Sequence, residues 1–326
     1  MLRYSPAYNI MNYIVLDLEW NQVSPGKEPG DKDLPFEIIE IGAVKLDSSM
    51  NKISEFCQVI RPKVYPHVHY KIKEITHLDS KTLAQGKPFP EVFSRFLKWC
   101  GDDFMICTWG PMDVTELQRN MKYYGFPLFK TPVFFYDIQK IFGIVYEDRK
   151  IKRSLEWAID YLKIEKDECF HRALSDAYYT AQIMKHLNEA DIQANYSIDC
   201  FQKPKNRKEQ IYVVYETYSK FISREFESKL DILKDKDVNS TVCYKCGKKT
   251  RKKIRWFSDN SKTYFCLAKC DEHGWLKGKI RLRKSDDESF FVIKTLKLTD
   301  QIGADSIKKR QTDIRLKRRA KRARAD

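Results

Sequence analysis

The first sixty residues alternate apolar runs with polar breaks. Residues 13–20 (YIVLDLEW) are apolar and β-branched at their start and predict a buried strand. Residues 38–46 (IIEIGAVKL) and 53–61 (ISEFCQVIR) predict two more, joined by a turn through Asp47–Asn51, which makes a three-stranded meander. Pro62 and Pro66 then interrupt the pattern. Within residues 90–100, Val92, Phe93, Phe96, Leu97 and Cys100 fall on one helical face. Residues 104–109 (FMICTW) predict a fourth strand that stops at Gly110-Pro111, and a helix opens at Asp113 and runs to about Tyr124. A fifth strand (VFFYDI) precedes helices around 153–163 and 174–189. Strands followed by alternating strand and helix predict an α/β domain, a mixed sheet flanked by helices.

Beyond Ala190 the pattern changes. Residues 207–234 carry Tyr212, Tyr215, Tyr218, Phe221 and Phe226 at near-helical spacing and read as a connecting helix. The expected organisation is an extension at 1–11, the α/β domain at 12–192, a helical connector at 193–239, a cysteine-bearing module at 240–284, and a basic helix or tail at 285–326. The first twenty residues do not read as a secretory leader, because their apolar stretch holds Asp17 and Glu19 and no small-residue cleavage site follows. No uncharged apolar run approaches the ~18 residues of a membrane span. A cytoplasmic protein without membrane contact is the expectation.

Charge sharpens the boundary. The formal net charge of +15 comes almost wholly from the C-terminal third: +11 over residues 240–284, −3 over 285–307 and +8 over 308–326. A near-neutral body with a basic module is what a separate polyanion-binding element looks like.

The nine cysteines fall into two groups. Cys57, Cys100, Cys107, Cys169 and Cys200 are scattered and read as small core residues rather than disulfide partners. Cys243-Tyr-Lys-Cys246-Gly247 has the spacing and trailing glycine of a zinc knuckle. Its partner pair is either Cys266 and Cys270, or Cys270 and His273 followed by Gly274. The second is preferred because it repeats the glycine. Strand-like residues around these pairs predict a small zinc ribbon holding one structural Zn²⁺. Its Lys and Arg lie among Trp256, Phe257, Tyr264 and Trp275, a composition suited to nucleic acid.

The chemistry-bearing residues lie upstream. On a strand, Asp17 and Glu19 project from one face while Leu16 and Leu18 point into the core. Two adjacent carboxylates repel unless a cation neutralises them, and Mg²⁺ prefers carboxylate oxygens. Asp113 follows a strand and a Gly-Pro break, where a plain helix N-cap is the competing reading. His171 precedes a helix carrying Asp176 (HRALSDAYYTAQIMKHL).

Together these residues resemble the DnaQ-like exonucleases of the DEDDh pattern, on a ribonuclease H-like fold. The motifs are Asp17-Leu18-Glu19, Asp113 in WGPMD, and His171-x4-Asp176, in order, across about residues 12–190. Arg172 stands where the sister pattern would carry tyrosine. The resemblance is closest to the small exonucleases acting on RNA ends, the Eri-like and RNase T-type branch. It implies a 3′→5′ exonuclease with two Mg²⁺ or Mn²⁺ held by Asp17, Glu19, Asp113 and Asp176, with His171 as general base, releasing nucleoside 5′-monophosphates. It also points to Ile75, Thr76 and Leu78 at the 3′ end of the substrate, while position suggests Trp20, Asn21 and Trp109 as further substrate contacts. The expected partner is nucleic acid, RNA with a single-stranded 3′ end. DNA trimming and a catalytically silent nucleic-acid-binding adaptor are the alternatives, and oligomeric state is left open.

Overall fold

The computed structural model describes residues 12–23, 30–148, 151–168, 170–285 and 288–323. The expected extension at 1–11 and Cys169 lie outside the described residues. The chain divides into two compact units between Gln202 and Lys203.

The first unit opens with β1 (Asn12–Asn21), β2 (Glu37–Asp47) and β3 (Lys52–Arg61), the predicted meander. There follow α1 (Tyr70–Thr76), α2 (Ser80–Ala84), β4 (Lys87–Pro88), α3 (Phe89–Cys100), β5 (Phe104–Thr108) and α4 (Met112–Tyr123). The rest are β6 (Phe134–Asp137), α5 (Ile138–Val145), α6 (Leu155–Leu162), α7 (Ala173–Lys185), α8 (Glu189–Ala194) and β7 (Ser197–Ile198). Among the described residues the strands form one sheet in the order β4-β3-β2-β1-β5-β6-β7. β1 runs antiparallel to β2 and parallel to β5, so the predicted mixed sheet is present. β1 and β2 are central and nearly continuous in apolar residues because helices cover both faces. Ile14, Leu16 and Leu18 pack with Val92, Phe93 and Phe96 of α3 in one core. Cys100 and Cys107 are core residues as expected, whereas Cys57 is exposed on β3 and Cys200 is half-buried.

The second unit departs from its expectation. The connector is not one helix: β8 (Ile211–Val214) and β9 (Ser219–Ile222) form a hairpin, followed by the short helices α9 (Lys229–Lys234) and α10 (Lys236–Asn239). The aromatic spacing that mimics a helix belongs to the hairpin, where Tyr215 and Tyr218 stack across the turn at 4.3 Å. Four further strands follow, β10 (Arg251–Ser258), β11 (Thr263–Cys270), β12 (Gly274–Lys284) and β13 (Phe290–Thr299). The sheet order is β10-β11-β12-β13-β9-β8, so the cysteine-bearing segment is half of a six-stranded sheet rather than a free-standing ribbon. The segment expected as basic helix or tail supplies β13 and then α11 (Gln301–Arg322). Phe221, Val238, Ile280 and Val292 make the core under α9 and α10. Among the described residues no helix is long and apolar enough to cross a membrane.

Candidate active site and metal centre

β1 places the first pair. In its register Asp17 lies opposite Gly42 of β2 and Glu19 opposite Glu40. Leu16 and Leu18 are buried on the other face, as alternation requires. Asp176 sits in the first turn of α7. One oxygen each from Asp17, Glu19 and Asp176 lie within 4.8 Å of one another. Asp113 is in the first turn of α4, but it is not an N-cap. Its Oδ1 accepts the backbone N–H of Leu18 at 3.2 Å, which fixes it beside the Asp17–Glu19 strand from the neighbouring element.

Burial and mutual repulsion shape the electrostatics. Burial, then the carboxylates of Asp113, Asp176 and Glu19, pushes Asp17 well above the usual carboxylate range. Burial and the nearby Asp176 and Glu40 carry Glu19 up to about 8. Asp113 rises to about 7, again through burial, although the Leu18 amide opposes the shift. Asp176 is raised by burial, offset in part by the His171 amide donating to its Oδ1 at 3.3 Å. Such a group of acids is stable as carboxylates only with a cation among them. The donor set, all oxygen and all from side chains, fits Mg²⁺ or Mn²⁺.

Three residues that motif reading passed over seat α7 on the sheet. A Cβ at Gly42 would lie 2.0 Å from the backbone of Ala173 and Leu174, so only glycine lets the helix approach β2 here. The buried carboxylate of Glu40 accepts from Arg172 Nε at 3.1 Å and from the Ala173 amide at 3.0 Å. The signal in the sequence was an acid inside an otherwise apolar strand, IIEIGAV. His171 takes a left-handed backbone (φ 65°), which costs a non-glycine residue about 1–2 kcal/mol. That turn aims its amide at Asp176 and leaves its side chain exposed.

The six expected substrate contacts separate. Asn21 is fully buried: its amide nitrogen donates to the carbonyls of Tyr65 and His67, and its oxygen accepts from the His69 amide. It therefore pins the 65–69 loop and has nothing left for a substrate. Leu78 packs against Ile39 and Leu83, and Thr76 is buried with its hydroxyl bonded to the Ile72 carbonyl. Ile75 is exposed, and Trp20 is half-buried against Phe36. Trp109 packs on Phe142, and its indole N–H is buried with no partner among the described residues.

A second cluster lies in the other unit. Cys243, Cys246, Cys270 and His273 bring their ligand atoms within 4.8 Å of one another. Cys246 Sγ is 3.7 Å from Cys270 Sγ, which is 3.7 Å from His273 Nδ1. A tetrahedral ion with arms of about 2.3 Å has ligand–ligand edges of about 3.8 Å, so the spacing fits zinc. Gly247 (φ 73°) and Gly274 (φ 78°) adopt the turn that brings backbone amides toward each knuckle. Cys266 lies outside this cluster: it is buried, and Gly278 leaves room for its sulfur, which an added Cβ would meet at 2.5 Å.

Comparison with known proteins finds similarity to exonucleases, with a family model that falls within the first unit. The RNase T family model, described as exonuclease, matches residues 14–184. The nuclease domain of 3′hExo, a DEDDh family member bound to rAMP, is 19% identical, covering 60% of this chain and 98% of its own, with a TM-score of 0.50. A 3′-exonuclease in complex with the histone mRNA stem-loop is also 19% identical, covering 60% and 70%, with a TM-score of 0.50. Pop2p of S. pombe, solved with Mg²⁺ and Mn²⁺, is 17% identical over 54% of this chain and 82% of its own, at a TM-score of 0.41. None of the curated proteins matches.

Proposed function

This chain belongs to the RNase T exonuclease family, and from that premise we propose that it shortens nucleic acid from the 3′ end by a two-metal hydrolysis, with RNA as the favoured substrate. The observation that carries the reading is the convergence of Asp17, Glu19 and Asp176 oxygens from two separate elements. These three would hold one divalent cation, and Asp113, fixed by the Leu18 amide, is the further oxygen donor for a second. Bound there, the cations would stabilise charge on the phosphoryl oxygens and acidify a water.

The rest falls to side chains. His171 accepts the proton of the attacking water on an imidazole nitrogen, as a general base. The water oxygen bonds to phosphorus as the bond to the leaving 3′-oxygen breaks. The leaving 3′-oxygen takes a proton from solvent, and the products are a nucleoside 5′-monophosphate and a strand ending in a new 3′-hydroxyl. Trp20, Ile75 and Trp109 are the expected residues with surface to offer a terminal nucleotide. RNA is favoured because two fold neighbours were solved with an RNA component, rAMP and a histone mRNA stem-loop.

The second cluster fits one structural Zn²⁺ on Cys243, Cys246, Cys270 and His273. It would tie β11 and β12 to the turn that precedes β10.

Incubating purified protein with end-labelled single-stranded RNA and DNA, with and without Mg²⁺ or Mn²⁺, tests the activity. Stepwise 3′ shortening with release of nucleoside 5′-monophosphates is expected, absent in Asp17→Asn. No digestion with either metal would overturn the reading, and faster cleavage of DNA would reverse the substrate assignment.

A further inference from the structure

The second unit segregates charge between the two faces of its sheet. On β12, Leu276, Ile280 and Leu282 are buried on one face, while Lys277, Lys279, Arg281 and Arg283 alternate with them on the other. Antiparallel pairing extends that outward face sideways, with Lys297 opposite Lys277, Lys269 opposite Trp275, and Arg251 opposite Lys269. Strands β10 to β13 contain no Asp or Glu at all. α11 lies on the same face through Ala304 and Ile307 against Leu267, and adds nine Lys/Arg against two acids.

Two aromatic rings are each shared by a sheet cation and a helix cation. Lys269 and Lys308 lie over Trp275 at 5.5 and 5.4 Å, and Lys279 and Arg310 over Phe265 at 5.6 and 4.7 Å. Crowding of like charge costs stability in isolation. It is felt at Lys279, whose pKa is held down by burial and by Arg281 and Arg310. Lys277, Arg281 and Arg283 have no carboxylate within ion-pair distance among the described residues. A row of cations on alternate strand residues repeats every ~6.8 Å, which suits a polymer of regularly spaced anions better than a single bound ion.

We infer that the outward face of β10–β13, together with α11, binds the phosphate backbone of a nucleic-acid strand. Its purpose, holding the body of a substrate shortened elsewhere, rests on the exonuclease reading; the binding itself does not.

The test uses the full chain carrying Asp17→Asn, so that the strand stays intact, and a fluorescent RNA of about 20 nucleotides followed by anisotropy across a salt series. The triple variant K277E/K279E/R281E should bind at least about 30-fold more weakly near 0.1 M salt, with a log–log salt slope shallower by about 2. In case that variant misfolds, R281Q/R283Q alters only exposed side chains at the strand end, and should still lose several-fold in affinity at unchanged Tm. Unchanged affinity and slope in the folded variants would overturn the inference, as would equally tight binding of polyglutamate or anionic phosphatidylserine vesicles. With Asp17 intact, R281Q/R283Q should keep its kcat/KM on a trinucleotide while KM rises on the longer strand. Failure of the wild-type chain to cut either substrate would sink the exonuclease reading and leave the binding result standing.

Discussion

Arg172 and Glu40, 132 residues apart in sequence, are joined through paired hydrogen bonds beneath the carboxylate site. Glu40 stands across from Glu19 in the β1–β2 register, and Arg172 adjoins His171. The pair therefore ties the helix carrying Asp176, and the turn carrying His171, to the strand opposite the Asp17–Glu19 strand. The Ala173 amide adds a third bond to the same carboxylate.

The two halves of this pair are unequal. Glu40 is wholly buried, whereas the Arg172 side chain is 41% exposed. Arg172→Ala strands a buried carboxylate near Asp17 and Glu19 and should cost about 3–5 kcal/mol. Glu40→Gln leaves an arginine that water can solvate, and should cost less. Both should lower kcat by about 10–100-fold through misplacement of His171 and Asp176, with KM on a short substrate little changed. Denaturant melts and steady-state kinetics read the two effects separately. An equal stability loss in both variants would contradict the asymmetry.

Gly42→Ala should be more damaging than its size suggests. The added methyl meets backbone, which has no rotamer by which to move aside. Overpacking of this kind costs about 1–3 kcal/mol or more, and here it lifts α7 from β2. Loss of nearly all activity is expected even in the fraction that stays soluble. Wild-type activity in Gly42→Ala would show that the helix seat is not what positions Asp176.

His171→Ala separates chemistry from metal capture. Its side chain is not among the oxygens gathered by Asp17, Glu19 and Asp176. The rate should fall about 10²–10⁴-fold while Mn²⁺ affinity, measured by calorimetry, stays near wild type. A matching loss of metal affinity would instead make the histidine part of the cation site.

Much of this was legible in the sequence because it is local. The strand periodicity of residues 13–61 and the alternation that sets Asp17 and Glu19 against Leu16 and Leu18 depend on neighbours within a few positions. Glu40, Gly42 and Arg172 were not legible, because their roles arise from a helix landing on a strand more than 130 residues away. Asn21 was misjudged for the same reason: its three partners lie in a loop more than 40 residues away. The connector failed on periodicity, since a tight hairpin with aromatics on both arms imitates a helical spacing.

The raised carboxyls set a pH dependence for the protein without added Mg²⁺ or Mn²⁺. Glu19 reaches about 8 and Asp113 about 7 in the folded chain, against ordinary values of 4.5 and 3.8. The folded state thus binds these protons more tightly than the unfolded chain. Their contribution to stability is complete below pH ~4 and is lost as pH rises through 7 to 8. Tm should fall from pH 5 to 8 without divalent cation and recover on adding Mn²⁺ at pH 8, with protons released on binding. Glu19→Gln should flatten the decline. A Tm that climbs with pH over this range would contradict the assignment.

The zinc cluster yields a sharper contrast, because Cys266 and His273 were competing readings for its fourth ligand beside Cys270. Cys270 and Cys266 lie on the same face of β11 two strand repeats apart, yet only Cys270 meets Cys246 and His273. Although burial opposes it, hydrogen bonds from the His273 side chain and from the His273 and Glu272 amides bring Cys270 down to about 6. That places it as thiolate at neutral pH, the form that binds zinc. Burial pushes the Cys266 thiol up to about 12 and keeps it neutral. Elemental analysis should find about one zinc per chain in the wild type and in Cys266→Ala, which loses only a small buried sulfur. Cys270→Ser and His273→Ala should lose most of the metal, and thermal unfolding of the second unit should shift down sharply. Loss of zinc in Cys266→Ala with retention in His273→Ala would reverse the ligand assignment.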